Sequence, residues 1–183
     1  FSTAAYTVFG LYFKLQSFVF MPVFGLNQGA MPIMGYNYGA AKKDRLMQTY
    51  KEALKIALLV MALGLLLFQA LPKQLLLMFD ASADMLAIGV PALRIISLCF
   101  LPAAFGIITG TLFQGTGHGV YSLLCSVIRQ LIGILPLAFI LIRIGGVTLS
   151  WASFPLAELL GLAYSALMLQ RLYKNEISKL GVQ

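Results

Sequence analysis

The chain has 183 residues, of which 60% are hydrophobic and 10% charged, and its formal net charge is +7. A soluble globular domain carries about 25% charged residues, so these values exclude an ordinary water-soluble fold and indicate a membrane protein. Most of the Lys and Arg residues lie in short segments between apolar runs, a placement typical of membrane topology, and nucleic acid is not an expected partner.

Long apolar runs predict an all-α fold, a polytopic transmembrane helix bundle with about five helices. The breaks between the runs contain Gly or Pro, which end helices. The predicted helices span residues 4–40, 46–71, 86–115, 119–142 and 147–173. The first is longer than the roughly 30 Å hydrocarbon core requires, so we expect it to tilt, bend or protrude.

The chain starts in apolar sequence at Phe1 and lacks the pattern of a signal peptide there. We therefore interpret residues 1–183 as part of a longer protein. Basic side chains concentrate in residues 41–55 and after Leu169. The positive-inside rule places both segments in the cytoplasm, which predicts a multi-pass protein with a cytoplasmic C-terminus. Anionic head groups of the lipid bilayer are the expected partners of these segments.

The first predicted helix ends in an unusually polar stretch, GLNQGAMPIMGYNYGAAKKDR, at residues 25–45. Asn27 and Gln28 would each cost several kcal/mol in hydrocarbon without hydrogen-bond partners, so they are expected to face protein or water. Pro22 and Pro32 remove backbone donors and allow the helix to bend. Glycines four residues apart can clear a helix face for a close neighbour, and the pairs here are Gly25 with Gly29 and Gly35 with Gly39.

Two methionines and a second polar stretch complete the predicted cavity. Met31 and Met34 share a helix face with an amide and are either an adaptable binding surface or filler between helices. In FGIITGTLFQGTG, residues 105–117, the threonines can bond their own carbonyls instead of a ligand. The predicted substrate cavity comprises Asn27, Gln28, Met31, Met34, Thr109, Thr111 and Gln114.

Lys14 and Arg94 lie near the outer ends of predicted helices, where long side chains can reach the head groups. Two charges lie deeper, Arg129 in the fourth helix and Glu158 in the fifth. A charge at mid-bilayer costs about 2.5 to 3.5 kcal/mol on insertion scales, so the two side chains are expected to pair or to serve ion coupling. The motifs of nucleotide hydrolysis, metalloproteases and serine hydrolases are absent from the sequence. We therefore predict no enzyme, no cofactor and no metal site.

Four segments carry a resemblance to a known family. AAYTVFGLYFKLQSFVFMPVFGLNQGAMPIMGYNYGAAKKDR, LFQGTG, IRQLIGILPL and WASFPLAELL resemble, in order, the eighth helix with its basic loop, the end of the tenth helix, the eleventh helix and the twelfth helix of multidrug and toxic compound extrusion (MATE) transporters. The likeness is to the bacterial DinF-like and MepA-like branch. It implies that residues 1–183 are a partial C-terminal transmembrane lobe, five of its six helices, in the bacterial inner membrane.

The resemblance implies an antiporter that uses a proton or sodium gradient to export drugs and other amphipathic or cationic compounds. It also implies an N-terminal lobe as partner, with the substrate cavity between the lobes. Some relatives carry a coupling carboxylate in the tenth helix, where this chain has Thr109, Thr111 and Gln114. The coupling acid is therefore expected outside this chain, with Glu158 as a weaker candidate. The alternatives are a flippase for lipid-linked precursors, or a non-transporting scaffold or inactive fragment.

Overall fold

A computed structural model describes residues 3–181 and, in that range, contains helices, turns and no strand. The all-α prediction is thus confirmed. The α-helices are α1 (Thr3–Gly39), α2 (Lys43–Ala70), α3 (Pro72–Leu77), α4 (Ala83–Ser97), α5 (Phe100–Gly115), α6 (Gly119–Val127), α7 (Leu135–Ser150) and α8 (Ser153–Asn175). A π-helical segment, Ile128–Ile134, joins α6 to α7, and a 3-10 turn, Ile177–Lys179, follows α8.

Three helical segments of the described range are long and apolar enough to cross a membrane: Tyr6–Gly39, Lys43–Ala70 and Gly119–Ser150. The bent pair α4 and α5 forms a fourth candidate span. The helix α8, predicted as the fifth span, is not among these segments. Its 23 residues give about 35 Å of helix, which is long enough, but Glu158 and several hydroxyl and amide side chains make it less apolar.

The predicted helix 86–115 is divided in the structure, because α4 and α5 meet at a bend of 46°. At the break, the Leu98 and Cys99 amides bond to carbonyls three residues back instead of four. Pro102 explains the position of the bend. Proline has no N–H to offer the carbonyl four residues before it, and its ring crowds that carbonyl.

The first helix, α1, continues through both of its prolines. The sequence allowed α1 to tilt, bend or protrude, and α1 is one continuous helix of 37 residues, about 55 Å long, that includes Pro22 and Pro32. Each proline removes a single hydrogen bond, and α1 packs against α2, α4 and α5 along its length. Within residues 3–181, the candidate span that divides into two helices at a bend is therefore the third, formed by α4 and α5.

The start of the last helix also differs from the prediction. The chain leaves helical geometry at Gly145 and Gly146, the latter with φ of +66°, a conformation that side chains disfavour. One helical turn follows, and α8 begins at Ser153, six residues later than residue 147. Pro155 lies in the first turn of α8, where its missing N–H removes no helical bond.

The core forms where α1, α2 and α5 pack together. Every third or fourth residue of α2 is buried, so one stripe of the helix faces the bundle. That stripe is Leu46, Tyr50, Ala53, Ala57, Met61, Gly64 and Phe68. Phe100 of α5 makes edge-to-face contacts with Phe20 of α1 and Phe68 of α2, at ring distances of 5.4 and 5.1 Å. Such ring pairs add to the stabilisation from burial.

The π-helical segment lies against α8 at very close range. A Cβ added at Gly133 would lie 2.7 Å from the Ala157 Cβ, so only glycine permits this approach. The wider π turn arises where Pro136, one residue into α7, cannot donate to the carbonyl of Ile132. This close contact holds Arg129, at the start of the π segment, beside Glu158 of α8.

One end of the bundle brings both basic segments together. Lys43 lies 5.5 Å from the centre of the Tyr173 ring. The Tyr38 hydroxyl donates to one oxygen of Glu176, and His118 Nε2 lies 2.9 Å from the other. We call Tyr38, His118 and Glu176 the end cluster. It ties the end of α1, the turn after α5 and the segment after α8 to one another.

Candidate functional site

Two adjoining cavities lie between α1, α5 and the π-helical segment. The larger, of about 550 Å³, is the aromatic cavity, and its rings are those of Phe9, Tyr12, Phe13, Phe20, Phe24 and Phe154. The smaller, of about 200 Å³, is the polar cavity, and its polar side chains are Asn27, Gln114, Ser122, Cys125, Ser126 and Arg129. Both cavities share Phe24, Ile107 and Arg129. A compartment walled mainly by aromatic rings, with Gln16 and Gln130 among its lining residues, therefore continues into one rich in hydrogen-bonding groups.

A buried ion pair stands where the two cavities join. Arg129 Nη1 lies 3.1 Å from Glu158 Oε1, and the two side chains are 26% and 10% exposed. Arg129 lines both cavities, whereas Glu158 lines the aromatic cavity alone. Gly161 leaves room for the stem of Arg129, since an added Cβ there would lie 3.7 Å from it. The guanidinium is the more accessible of the two charges.

Asn27 is held at the polar cavity by α5. The Thr111 hydroxyl hydrogen bonds to Asn27 Oδ1 and lies 2.9 Å from the carbonyl oxygen of Ile107. Because Thr111 engages the amide oxygen, Asn27 Nδ2 is the part of the amide that remains for a ligand. In residues 3–181 no hydrogen bond of that nitrogen is present. Thr111 itself is fully buried and acts by positioning Asn27.

Gln114 extends the polar cavity toward α6. Its side chain is exposed, and its Nε2 donates to the Ser122 hydroxyl at 2.9 Å. Gly110 lies beside this contact, where an added Cβ would approach the Ser122 hydroxyl to 3.2 Å. Small residues on α5 therefore let the polar face of α6 approach closely.

The other residues predicted for the substrate cavity lie outside both compartments. Thr109 is buried and hydrogen bonds to the Tyr50 hydroxyl at 2.9 Å, which links α5 to α2. Met34 is fully buried, and Met31 lies at a close contact of α1 with Gly115, where an added Cβ would lie 3.0 Å from the Met31 carbonyl oxygen. The Met34 side chain therefore packs in the α1–α5 interface, whereas Met31 meets α5 through its backbone. Gln28 is exposed and lines neither cavity.

The glycine pairs behave differently from one another. A Cβ at Gly35 would lie 3.0 Å from the Gly115 carbonyl oxygen, so this position needs glycine for close packing. Gly25, Gly29 and Gly39 face open space in the described part of the chain, so close packing at these three positions stays a prediction. Pro22 and Pro32 are exposed on α1. These outward positions belong to the side of α1 that meets no helix in residues 3–181.

The polar residues of the sequence did not predict the aromatic rings that line the larger cavity. Phe9, Tyr12, Phe13, Phe20 and Phe24 recur along α1 at helical spacing, and that stripe is the signal that could have revealed it. Ser122 and Ser126, four residues apart on α6, are a second signal. Among the described residues no group of three His, Cys, Asp or Glu is placed to hold a metal ion.

Comparison with known proteins matches these features to one family. The MatE family model matches residues 1–140. The multidrug export protein MepA of Staphylococcus saprophyticus is 21% identical over 170 residues, which are 93% of this chain and 37% of that protein. A MOP superfamily transporter from Pyrococcus furiosus has a TM-score of 0.85 at 22% identity, over 95% of this chain and 39% of the other. The MATE multidrug transporter DinF-BH, solved in complex with a drug-like ligand, has a TM-score of 0.83 at 33% identity, over 93% and 38%.

The chain spans less than two fifths of the length of these relatives. They are transporters or export proteins, which agrees with the expectation that this chain is not an enzyme. The family model covers more than half of the chain, and the fold agrees with the solved relatives. The resemblance seen in the sequence is thus confirmed, and the chain belongs to the multidrug and toxic compound extrusion (MATE) family.

Proposed function

We propose that this chain is part of the C-terminal lobe of a secondary transporter that exports amphipathic and cationic compounds by alternating access. An N-terminal lobe of the same protein is the proposed partner, and the substrate lies between the two lobes. The observation that carries the proposal is the pair of adjoining cavities with the Arg129–Glu158 ion pair at their junction. Apolar walls with a few converging polar groups are typical of small-molecule sites.

The relatives support the same conclusion. MepA is a multidrug export protein, and DinF-BH binds a drug-like ligand, so both handle molecules of this kind. The aromatic cavity of this chain supplies a surface suited to ring systems, since rings stack on one another in offset or edge-to-face geometry. We extend small-molecule export to this chain on that basis.

We also propose that export is coupled to the entry of protons or sodium ions. A coupling ion drives transport only if it binds one conformation more tightly than the other. Glu158 is the carboxylate that the described residues place at the cavities, and its bond to Arg129 can differ between conformations. A second carboxylate in the N-terminal lobe remains the first candidate for the coupling site.

The membrane orientation belongs to the same proposal. The basic residues 41–55 and the C-terminal segment lie at one end of the bundle, as Lys43 and Tyr173 show. The positive-inside rule places that end in the cytoplasm of a bacterial cell, with the helices crossing the inner membrane.

The proposal is tested with the full-length protein reconstituted in proteoliposomes. Efflux of a cationic rhodamine dye is measured with the proton gradient and the sodium gradient collapsed separately. We expect one of the two treatments to slow efflux strongly and the other to leave it unchanged. Efflux that survives both treatments would contradict coupling, and absence of efflux for every dye would contradict export itself.

The flippase alternative is less well supported by the cavities. A lipid pyrophosphate needs several basic side chains, and within residues 3–181 Arg129 is the basic side chain that lines these two cavities. Arg94 is exposed at the end of α4 and lines neither.

A further inference from the structure

We infer that Arg129 binds an acidic group of the substrate, so that the transporter accepts amphiphiles with a carboxylate or another single anionic group on an apolar or aromatic body. The inference rests on the proposed export function and adds a substrate class to it. Free anionic amphiphiles and the head group of an anionic lipid share this chemistry.

The two charges of the ion pair differ in the cavities that they border. Arg129 borders the polar cavity and the aromatic cavity, whereas Glu158 borders the aromatic cavity only. The Arg129 side chain is 26% exposed and the Glu158 side chain 10%. A ligand that enters the polar cavity therefore meets the guanidinium before the carboxylate.

The Arg129 guanidinium has hydrogen-bond donors that no protein group engages in the described structure. A guanidinium has five N–H groups in a planar fork, and one hydrogen bond, from Nη1 to Glu158, engages it in the described structure. Asn27 lines the same cavity, and its amide oxygen is hydrogen-bonded to Thr111, which leaves its Nδ2 donor for a ligand. An acceptor-only ligand group such as a carboxylate satisfies donors of this kind, and bidentate pairing with Arg adds geometric selectivity.

The two cavities differ in size and in the side chains that line them. The aromatic cavity of about 550 Å³ holds a ring system, and the polar cavity of about 200 Å³ holds a small head group. Arg129 stands at their junction. A molecule with one acidic group at the end of an apolar body therefore places each part in a matching environment.

Glu158 has a second role in this arrangement. Its bond to Arg129 neutralises the guanidinium while the site is empty, because an unpaired charge that is largely removed from water is costly. Binding of an anionic group adds a second partner to the same guanidinium. Removing the Glu158 charge is therefore expected to strengthen the binding of anions.

The test uses three pyrene probes and the full-length protein in nanodiscs of zwitterionic lipid. The probes are pyrenebutyrate, its neutral methyl ester and pyrenebutylamine, and binding is followed by fluorescence anisotropy against empty nanodiscs. We expect wild-type protein to bind pyrenebutyrate about tenfold or more tightly than the ester, the ratio for one charged hydrogen-bonding contact. Equal affinity for the two probes would overturn the inference.

Variants assign the preference to Arg129. The pair Arg129→Gln with Glu158→Gln keeps the site neutral, and we expect it to bind pyrenebutyrate no better than the ester while ester affinity stays within about twofold. Glu158→Gln alone is expected to raise pyrenebutyrate affinity. The control is Arg94→Gln, which removes an exposed arginine outside both cavities. The inference is wrong if the double variant still binds pyrenebutyrate more tightly than the ester. It is also wrong if the wild-type protein binds pyrenebutylamine tightly and Glu158→Gln abolishes that binding, because Glu158 would then be the residue that binds the charged group.

Two further measurements distinguish a lipid head group from a free amphiphile as the source of the anion, and separate a failure of the anion-binding inference from a failure of the export function. Adding phosphatidylglycerol to the nanodiscs asks whether a lipid head group competes with pyrenebutyrate. Competition assigns the site to a lipid head group, and lack of competition assigns it to free amphiphiles, with Arg129 as the anion-binding residue in both cases. If the protein exports the rhodamine dye but binds pyrenebutyrate no more tightly than the ester, the inference about Arg129 is refuted and the export function stands. If the protein prefers pyrenebutyrate but exports no probe, the export function is refuted.

Discussion

The ion pair at the cavities and the end cluster use similar chemistry in different surroundings. Arg129 and Glu158 lie 3.1 Å apart with side chains 26% and 10% exposed. His118 and Glu176 lie 2.9 Å apart with side chains 22% and 39% exposed. Both pairs join a carboxylate to a nitrogen base, but only the second carboxylate is open to water. The difference shows that burial, rather than distance, decides what each pair contributes.

Burial changes what happens when one partner is lost. Water can replace a missing partner at Glu176, so the cost there is small. Glu158 has little access to water, and removing its partner leaves an uncompensated charge between helices. The inner pair is therefore suited to respond to a ligand or an ion in the cavity, while the outer cluster ties chain segments together.

The largest expected effect comes from breaking the inner pair. Arg129→Leu is predicted to destabilise the protein by about 3 to 5 kcal/mol, because it leaves the largely buried Glu158 carboxylate without its partner. Thermal unfolding of the full-length protein in detergent measures the loss. The control is the double variant with Glu158→Leu, which removes both charges and is predicted to recover most of the stability. An unchanged melting temperature for Arg129→Leu would contradict the role of burial.

An intermediate effect is expected from the backbone contact that positions the inner pair. Gly133→Ala places a methyl group 2.7 Å from the Ala157 Cβ and 3.1 Å from the Ala157 Cα, so the π-helical segment must move away from α8. Overpacking of this kind costs about 1 to 3 kcal/mol. The matched control is Gly29→Ala, where an added Cβ meets no atom within 4 Å. Equal melting temperatures for the two variants would show that the contact is not constraining.

The smallest effect is expected at the end cluster and depends on pH. The hydrogen bond from the Tyr38 hydroxyl, followed by that from His118, holds the pKa of Glu176 below its usual value of 4.5. A depressed pKa stabilises the fold above about pH 4.5, and this contribution is lost as the pH falls through the lower, folded value. Glu176→Gln should therefore lower the melting temperature slightly near neutral pH and match wild type in acid.

The control for this measurement is Glu52→Gln, which removes an exposed carboxylate paired with Lys55 one turn away on α2. That variant should retain the acid-dependent loss seen in wild type. If Glu176→Gln retains it as well, the end cluster is not its source.

The sequence predicted the helices well where local signals were strong. Hydropathy located the long apolar segments, and the Gly- and Pro-rich breaks marked most of their ends. Proline alone was a poor guide, because α1 stays continuous through Pro22 and Pro32 while Pro102 accompanies a bend. Whether a proline bends a helix depends on the packing of the surrounding turns, which a single sequence does not specify.

The candidate site was predicted in part for a similar reason. The energetic cost of intramembrane charge singled out Arg129 and Glu158, which the structure brings together. Asn27 and Gln114 line the polar cavity, but Thr109 bonds to Tyr50 and Met34 fills the core. Polar or flexible side chains on one helix serve packing or binding according to what lies opposite them.

From the amino-acid order alone came the membrane class, the all-α architecture, the family resemblance and the two costly charges, because hydropathy, charge and motif are properties of local sequence. Only the tertiary structure decided that an aromatic wall continues into a polar compartment and that Arg129 stands where they join. Those relations depend on the rotation and register of α1, α5, α8 and the π-helical segment against one another. Helix rotation and register result from packing between elements distant in the chain.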